Sequence, residues 1–409
     1  MLEPLQAEIG DDTELLGLLA IADMQRGRSN VALERLRQAA EADPENAQAI
    51  AQLAEGYVRT GEPRSAVELL VNYPASTEAP FARERVLITA YRDLGDNVAA
   101  ASVAAELVTA NRNNMAALLL AARFYLSQQM FGDGRDALEH PHELAPRNHD
   151  ARLQLGRLEL RESQHAAASE NFQAVFDADS KNLMASLGLA QVAIENGDNA
   201  RALELLERAY ENNPGEAAPA LILANQYLED GRPLDAIEVA RSIADGETRD
   251  LSVVRSVGRV LYAAGAIEEA QEQFEIAVER SPQTAALLVD LTRSLMAQGK
   301  FADALVITER AITADPTAVQ AQVLQVLTYI SMGRLAEADE RSAFLVQSYP
   351  ANSQVALARA EALVAARRYD EAITAFRDAQ GKGAGLNAVV REVQVRITRG
   401  TDDAPEQPL

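Results

Sequence analysis

The sequence predicts an all-α solenoid built from repeated helix pairs, and three observations carry that prediction. Apolar residues recur at helical spacing in short segments, as at Leu183, Leu187, Leu189, Ala190, Ala193 and Ile194, and again at Ala202, Leu203, Leu206 and Ala209. Turn-forming clusters separate the segments. Asn196-Gly197-Asp198 ends the first of these two helices and Asn212-Asn213-Pro214 the second, because Gly accepts the left-handed backbone and Pro supplies no N–H. The whole pattern then returns every 34 residues without insertion or deletion. A helix of this length cannot bury its apolar face alone, so repetition supplies the neighbour.

Counted from Thr13, the copies begin at 13, 47, 81, 115, 149, 183, 217, 251, 285, 319 and 353. Position 20 is Ala in every copy except the fourth, which has Gly134. Position 15 is Gly in eight copies, from Gly27 to Gly333, and position 32 is Pro in six, from Pro44 to Pro350. Position 11 holds Tyr57, Tyr91, Tyr125, Tyr227 and Tyr329. With this period and these small residues the stretch 13–386 resembles the tetratricopeptide repeat (TPR) family. The family's Trp near position 4 has no counterpart, since the chain contains no Trp. The resemblance implies a right-handed superhelical α-solenoid of eleven helix-turn-helix repeats.

Both ends read as partial repeats. Leu2 and Leu5 fall at positions 24 and 27, so residues 1–12 are expected to be a second helix without its first, packed on repeat 1. Asn387 opens a twelfth copy, with Val390, Val393 and Ile397 at positions 4, 7 and 11. Residues 387–400 are therefore a partial repeat or a capping helix, and 401–409 a tail. In the first of these readings Arg399-Gly400-Thr401 is an internal turn. The segment is accordingly expected to be an excised piece of a longer array. Two internal copies depart from the pattern. In repeat 2, Asn72-Tyr73-Pro74 ends the second helix early. Repeat 4 has Gln129 in place of Gly, then Gly132, Gly134 and Pro141 in its second helix. Interior Gly costs about 1 kcal/mol and interior Pro about 3 relative to Ala. Repeat 4 is thus expected to be the soft copy, with Gly134→Ala stabilising wherever a methyl fits.

Composition limits the function classes. The 409 residues carry 61 acidic and 38 basic side chains, a net charge of −23, which argues against nucleic acid as a partner. The absence of Cys removes disulfides and thiolate metal sites. No run of eighteen apolar residues exists, so no membrane insertion is expected. His140, His142, His149 and His165 cluster in sequence, but their spacing matches no zinc pattern, and no metal is expected. Nucleophile-elbow, zincin, Walker and dinucleotide motifs are missing, so neither an enzymatic activity nor a cofactor is expected. Gly381-Lys382-Gly383 shares the composition of a phosphate loop without a strand before it.

Function in the TPR family resides mostly on the face lined by first helices. The carboxylate clamp of chaperone-binding members needs Lys at position 5 with Asn at position 9. Here Asn225 is accompanied by Leu221, so the clamp is not formed. The asparagine ladder of the O-GlcNAc transferase array, at position 6, is absent as well: Gln154, Gly188 and Ile222 occupy it in repeats 5 to 7. Position 9 of repeats 4 to 9 instead reads Arg123, Arg157, Gln191, Asn225, Arg259 and Arg293. Position 12 beside it is apolar: Leu126, Leu160, Ile194, Leu228, Tyr262 and Met296. These two rows form either an amphipathic groove for a protein or peptide segment, acidic where it meets the arginines, or a set of Arg–Glu pairs between adjacent repeats.

The reading that follows is a non-enzymatic scaffold. Its run length and Ala/Arg-rich texture resemble the bacterial TPR lipoproteins of exopolysaccharide and PEP-CTERM systems. That resemblance implies a periplasmic protein whose signal and lipid anchor lie outside this segment. A cytoplasmic adaptor, or the substrate-presenting arm of an enzyme whose catalytic domain lies elsewhere, are the alternatives.

Overall fold

A computed structural model describes residues 12–74, 80–144, 148–244 and 250–402, in two compact units, Met1–Asp198 and Asn199–Leu409. The expected helix over residues 2–9 lies outside the described residues. The first unit contains α1 (Thr13–Gln25), α2 (Ser29–Ala42), α3 (Ala47–Arg59), α4 (Pro63–Leu70), α5 (Ala82–Asp93), α6 (Asn97–Ala110), α7 (Met115–Ser127), α8 (Phe131–Leu144), α9 (His149–Arg161), α10 (His165–Ala178) and α11 (Leu183–Glu195). The second contains α12 (Asn199–Asn212), α13 (Ala217–Glu229), α14 (Pro233–Ala244), α15 (Leu251–Ala263), α16 (Ile267–Arg280), α17 (Ala285–Ala297), α18 (Phe301–Ala314), α19 (Val319–Ser331), α20 (Leu335–Ser348), α21 (Ser353–Ala365), α22 (Tyr369–Gly381) and α23 (Gly385–Asp402). Within each unit a helix packs on its neighbours in sequence, and first helices pack on the first helices of adjacent repeats.

The 34-residue register is realised helix by helix. Every first helix except α5 runs from position 1 to position 13, and every second helix opens at position 17. Local chemistry sets these limits. The side chains of Asp12, Asn46, Asn114, Asn148, Asn182, Asp250 and Asn352, all one residue before a first helix, accept hydrogen bonds from first-turn amides. At the other end the backbone turns left-handed at position 15. In repeat 6 Gly197 N–H donates to Ile194 O at 2.9 Å and Asp198 N–H to Ala193 O at 2.8 Å, the paired bonds of a Schellman termination. All ten alanines at position 20 are fully buried.

Position 15 is left-handed in all eleven copies, including those with a side chain: Gln129 (φ 60°), Ser163 (φ 59°) and Arg367 (φ 58°). An L-residue held there costs about 1–2 kcal/mol, and replacing it with Gly recovers that cost less the larger entropy Gly loses on folding. Each of Gln129→Gly, Ser163→Gly and Arg367→Gly is therefore expected to stabilise its unit by about 0.5–1 kcal/mol, read as a rise in the urea midpoint. A fall at all three would show that these side chains make contacts worth more than the strain.

The departures have physical causes. Helix α4 stops at Leu70, and Arg83 occupies the end it leaves, donating from Nε to Leu70 O at 3.0 Å and from Nη2 to Val71 O at 3.1 Å. Helix α8 runs through Gly132, Gly134 and Pro141. A Cβ on Gly134 would come within 2.8 Å of Leu126 Cδ2, so the methyl carried by the other copies fits only if Leu126 moves. The stabilisation expected of Gly134→Ala is thus opposed by overpacking. Two of the tyrosines at position 11 carry a cation on the ring: Arg232 stacks 4.3 Å over Tyr227 and Arg334 lies 4.6 Å over Tyr329.

Tyr227 also donates to Glu207 Oε1 at 2.8 Å, and burial first, then that bond, push its phenol up to about 12. The folded value stands above the ordinary 10.0, so the stability linked to Tyr227 is present below pH 10 and is lost as pH rises to about 12. Tyr227→Phe is expected to flatten that stretch of the stability–pH curve of the second unit. An unchanged slope would assign the loss to other groups.

The C-terminal helix corrects two expectations. Helix α23 continues through 399–401, where an internal turn was expected. It is also turned relative to the expected register: Ala388 and Val395 are buried, whereas Val390, Val393 and Ile397 are exposed. The cause is the glycine-rich connection. Helix α22 stops at Gly381, Gly383 N–H and Ala384 N–H bond back to Gln380 O and Ala379 O, and left-handed Gly383 and Gly385 lead directly into α23. The connection is shorter than the usual inter-repeat turn, so a different face meets α22.

Candidate functional site

The burial pattern of the first helices determines what they present to solvent. In α9, Ala151, Leu153, Leu155, Gly156, Leu158 and Glu159 are buried, which leaves Arg157 and Arg161, one turn apart, on the outer face with half-buried Leu160 beside them. Helix α7 has the same geometry, with Arg123 exposed and Leu126 half-buried. Between α7 and α9 lies a groove of about 590 Å³ lined by Arg123, Leu126, Arg157, Leu160 and Arg161, with Ser127 and Gln154.

The electrostatics of this groove depend on what its arginines already hold. Arg123 Nη2 lies 3.4 Å from Asp150 Oδ2, a pair more than half exposed on both sides and worth little in water. Arg161 donates to Leu126 O at 3.4 Å, and its guanidinium sits 5.3 Å over the Phe131 ring. Arg157 has no hydrogen-bond or ion-pair partner among the described residues. The nearby acids are engaged elsewhere: Glu162 pairs with Arg135, and buried Glu159 accepts from Asn171 Nδ2 at 2.9 Å. A chain with 61 acidic residues thus leaves three arginines converging on one groove.

The other predicted site residues are used differently. In the first unit the Gln191 amide donates to Glu195 Oε1 at 3.0 Å within α11, and Ile194 is half-buried. In the second unit Asn225 Nδ2 donates to Leu221 O of its own helix at 2.7 Å. Arg259 is exposed and Arg293 half-buried, both without partners among the described residues. Leu228, Tyr262 and Met296 are half-buried, and Met296 Sδ accepts from Thr328 Oγ1 at 3.4 Å. Arg293 lines a second groove of about 530 Å³ whose wall is apolar (Val323, Leu324, Leu327, Leu357) and whose rim holds the ion-paired Glu361 and Arg391. Among the described residues, Arg123 alone of the position-9 arginines meets an acid of the next repeat. Arg161 was not foreseen in the sequence; its spacing of four from Arg157 on one helix is the signal that marks it.

Among the described residues no group of three or more His, Asp or Glu is placed to hold a metal ion, and no helix is long and apolar enough to cross a membrane. His165 lies between Glu195 Oε2 (3.0 Å) and Asn196 Oδ1 (2.9 Å), and His149 opens α9. The side chains of His140 and His142 are outside the described residues.

Helical hairpins at a uniform 34-residue pitch, with a groove on the first-helix face, define a helical-repeat protein. The chain belongs to the tetratricopeptide repeat family: one model of that repeat matches residues 153–217, 187–249 and 323–387, and a second matches 23–80 and 261–328. No curated protein matches the chain. Solved structures similar to it include a tetratricopeptide repeat protein from Parabacteroides merdae, 12% identical, covering 69% of this chain and 98% of that one at a TM-score of 0.42. Yeast Tom70 is 12% identical over 97% of this chain and 91% of its own, with a TM-score of 0.43. YrrB, described as a TPR protein with an unusual peptide-binding site, is 17% identical over 45% of this chain and 95% of its own, at 0.38.

Proposed function

We propose that the chain is a non-enzymatic scaffold that binds an acidic protein or peptide segment on its first-helix face, with the groove between α7 and α9 as the principal contact. The observation that carries this reading is Arg157, partnerless among the described residues, flanked by Arg123 and Arg161 above Leu126 and Leu160. Arginine donates in a planar fork that matches a carboxylate and stays charged at any working pH. The half-buried leucines add apolar contact for an adjacent side chain. A groove of about 590 Å³ falls within the range of small-ligand sites and holds a few residues of a longer segment.

The net charge of −23 repels acidic partners at long range, while the local arginines act within about 8–10 Å at physiological salt. Binding is therefore short-ranged and selective for a segment whose acids arrive with an apolar residue between them. A fluorescently labelled peptide alternating Glu and Leu is expected to bind, more weakly as salt rises, and its Lys-for-Glu counterpart is not. Equal binding of the two peptides, or none by either, would overturn the reading.

The setting we infer is the bacterial cell envelope, in exopolysaccharide assembly. It rests on the run length and Ala/Arg-rich composition of the array. Co-isolation with assembly components from the envelope fraction supports it, and recovery of the full-length protein from the cytosol alone overturns it.

A further inference from the structure

We infer that the outer face of α23 is a self-association surface, pairing antiparallel with α23 of a second copy of this chain. The helix is apolar on two opposite sides. One side, with Ala388 and Val395 buried, packs on α22. The other carries Leu386, Val390, Val393 and Ile397, exposed by 80, 53, 49 and 63%, with Val389 at their edge. A contiguous exposed apolar stripe of this length marks a contact surface.

The spacing identifies the occupant. Residues 386, 390, 393 and 397 are separated by four, three and four, which is the seam of a two-heptad coiled coil with β-branched Val390 and Ile397 at the a positions. The stripe also reads alike in both directions, with a large side chain at each end and two valines in the middle. Turned about a two-fold axis between Arg391 and Glu392, Val390 meets Val393 of the second copy and Leu386 meets its Ile397. Beside the seam, Asn387 then faces Gln394 and Val389 faces Arg396, so no like charges oppose each other. The Arg396 charge is already matched within its own helix by Glu392, which accepts at 2.7 and 3.0 Å. Five side chains at these exposures offer on the order of 500 Å² per copy, so a two-fold pair hides on the order of 1,000 Å², the lower edge of specific interfaces. The pair is therefore a weak, micromolar one. Each copy carries −23, so pairing strengthens as salt rises, whereas acidic-peptide binding in the α7–α9 groove weakens.

Sedimentation equilibrium of the full chain from about 1 to about 200 µM is expected to show a monomer–dimer equilibrium that salt shifts toward dimer. Val393→Glu is expected to leave a monomer with an unchanged thermal melt, because that side chain is half exposed. The register has its own test, since the chain contains no cysteine. A mixture of Leu386→Cys and Ile397→Cys chains should oxidise to a disulfide-linked hetero-pair, and Ile397→Cys alone should not. A monomer throughout the concentration range, a dimer that survives Val393→Glu, or self-linkage of Ile397→Cys as fast as the mixture would each overturn the inference.

Discussion

Charge reversal at Arg157 is expected to weaken binding of the acidic segment by about 100-fold and to leave the fold untouched, since a hydrogen bond to a charged partner contributes about 1.5–3 kcal/mol and the new Glu adds repulsion. Arg157 has no partner among the described residues, so Arg157→Glu removes no native contact and should change stability by no more than about 0.5 kcal/mol. Arg161→Glu should weaken binding as well, with a small stability loss, because it gives up the Phe131 stack and the bond to Leu126 O. Arg259→Glu, in the second unit, serves as the control. Titration of the labelled peptide against all three variants, with a melt of each, separates the outcomes. A loss of stability at Arg157→Glu with unchanged binding would mean that the arginine is structural after all. Equal losses of binding at Arg157 and Arg259 would spread the contact beyond the α7–α9 groove.

The largest stability effect is expected at Phe172. Its ring is 1% exposed and fills the space between α9 and α11 of adjacent repeats. Two glycines make that space. A Cβ on Gly156 would stand 2.9 Å from Phe172 Cε1, and one on Gly188 would stand 2.6 Å from the same atom. Phe172→Ala should therefore cost the first unit about 3–5 kcal/mol, through lost apolar burial and the cavity left behind. Gly188→Ala should cost about 1–3 kcal/mol by overpacking, and Phe172→Leu in that background should recover part of it. The double-mutant cycle built from these variants should show coupling well above the 0.3–0.5 kcal/mol or so of independent sites. Additive losses would mean that ring and glycines do not share one space. Because each repeat is held only by its neighbours, denaturation of Phe172→Ala should also broaden, with repeats 5 and 6 opening before the rest of the unit.

How much of this was legible in the sequence depends on the range of the interaction concerned. The helix limits and the left-handed position 15 follow from backbone preferences within one repeat, and the small residue at position 20 recurs with them. Eleven copies in one register state those preferences repeatedly, so one sequence sufficed. The polar row at position 9, exposed from Arg123 to Arg259, beside a half-buried apolar row at position 12 was legible for the same reason, since helical period alone sets it.

The tertiary structure decided what the period does not specify. Which arginines are already engaged depends on rotamers and on the distance between successive repeats: Arg123 reaches Asp150, Arg157 reaches nothing among the described residues, and the amides of Gln191 and Asn225 fold back on their own helices. Gly134 and Gly188 look like lapses in the pattern until Leu126 and Phe172 are seen to occupy the space a methyl would need. Helix α23 shows the difference most plainly. Its sequence pattern placed Val390, Val393 and Ile397 at positions 4, 7 and 11, yet the short Gly383–Gly385 connection turns the helix and exposes all three. A linear pattern determines that a helix has an apolar face. The rotation imposed by its connection determines where that face points.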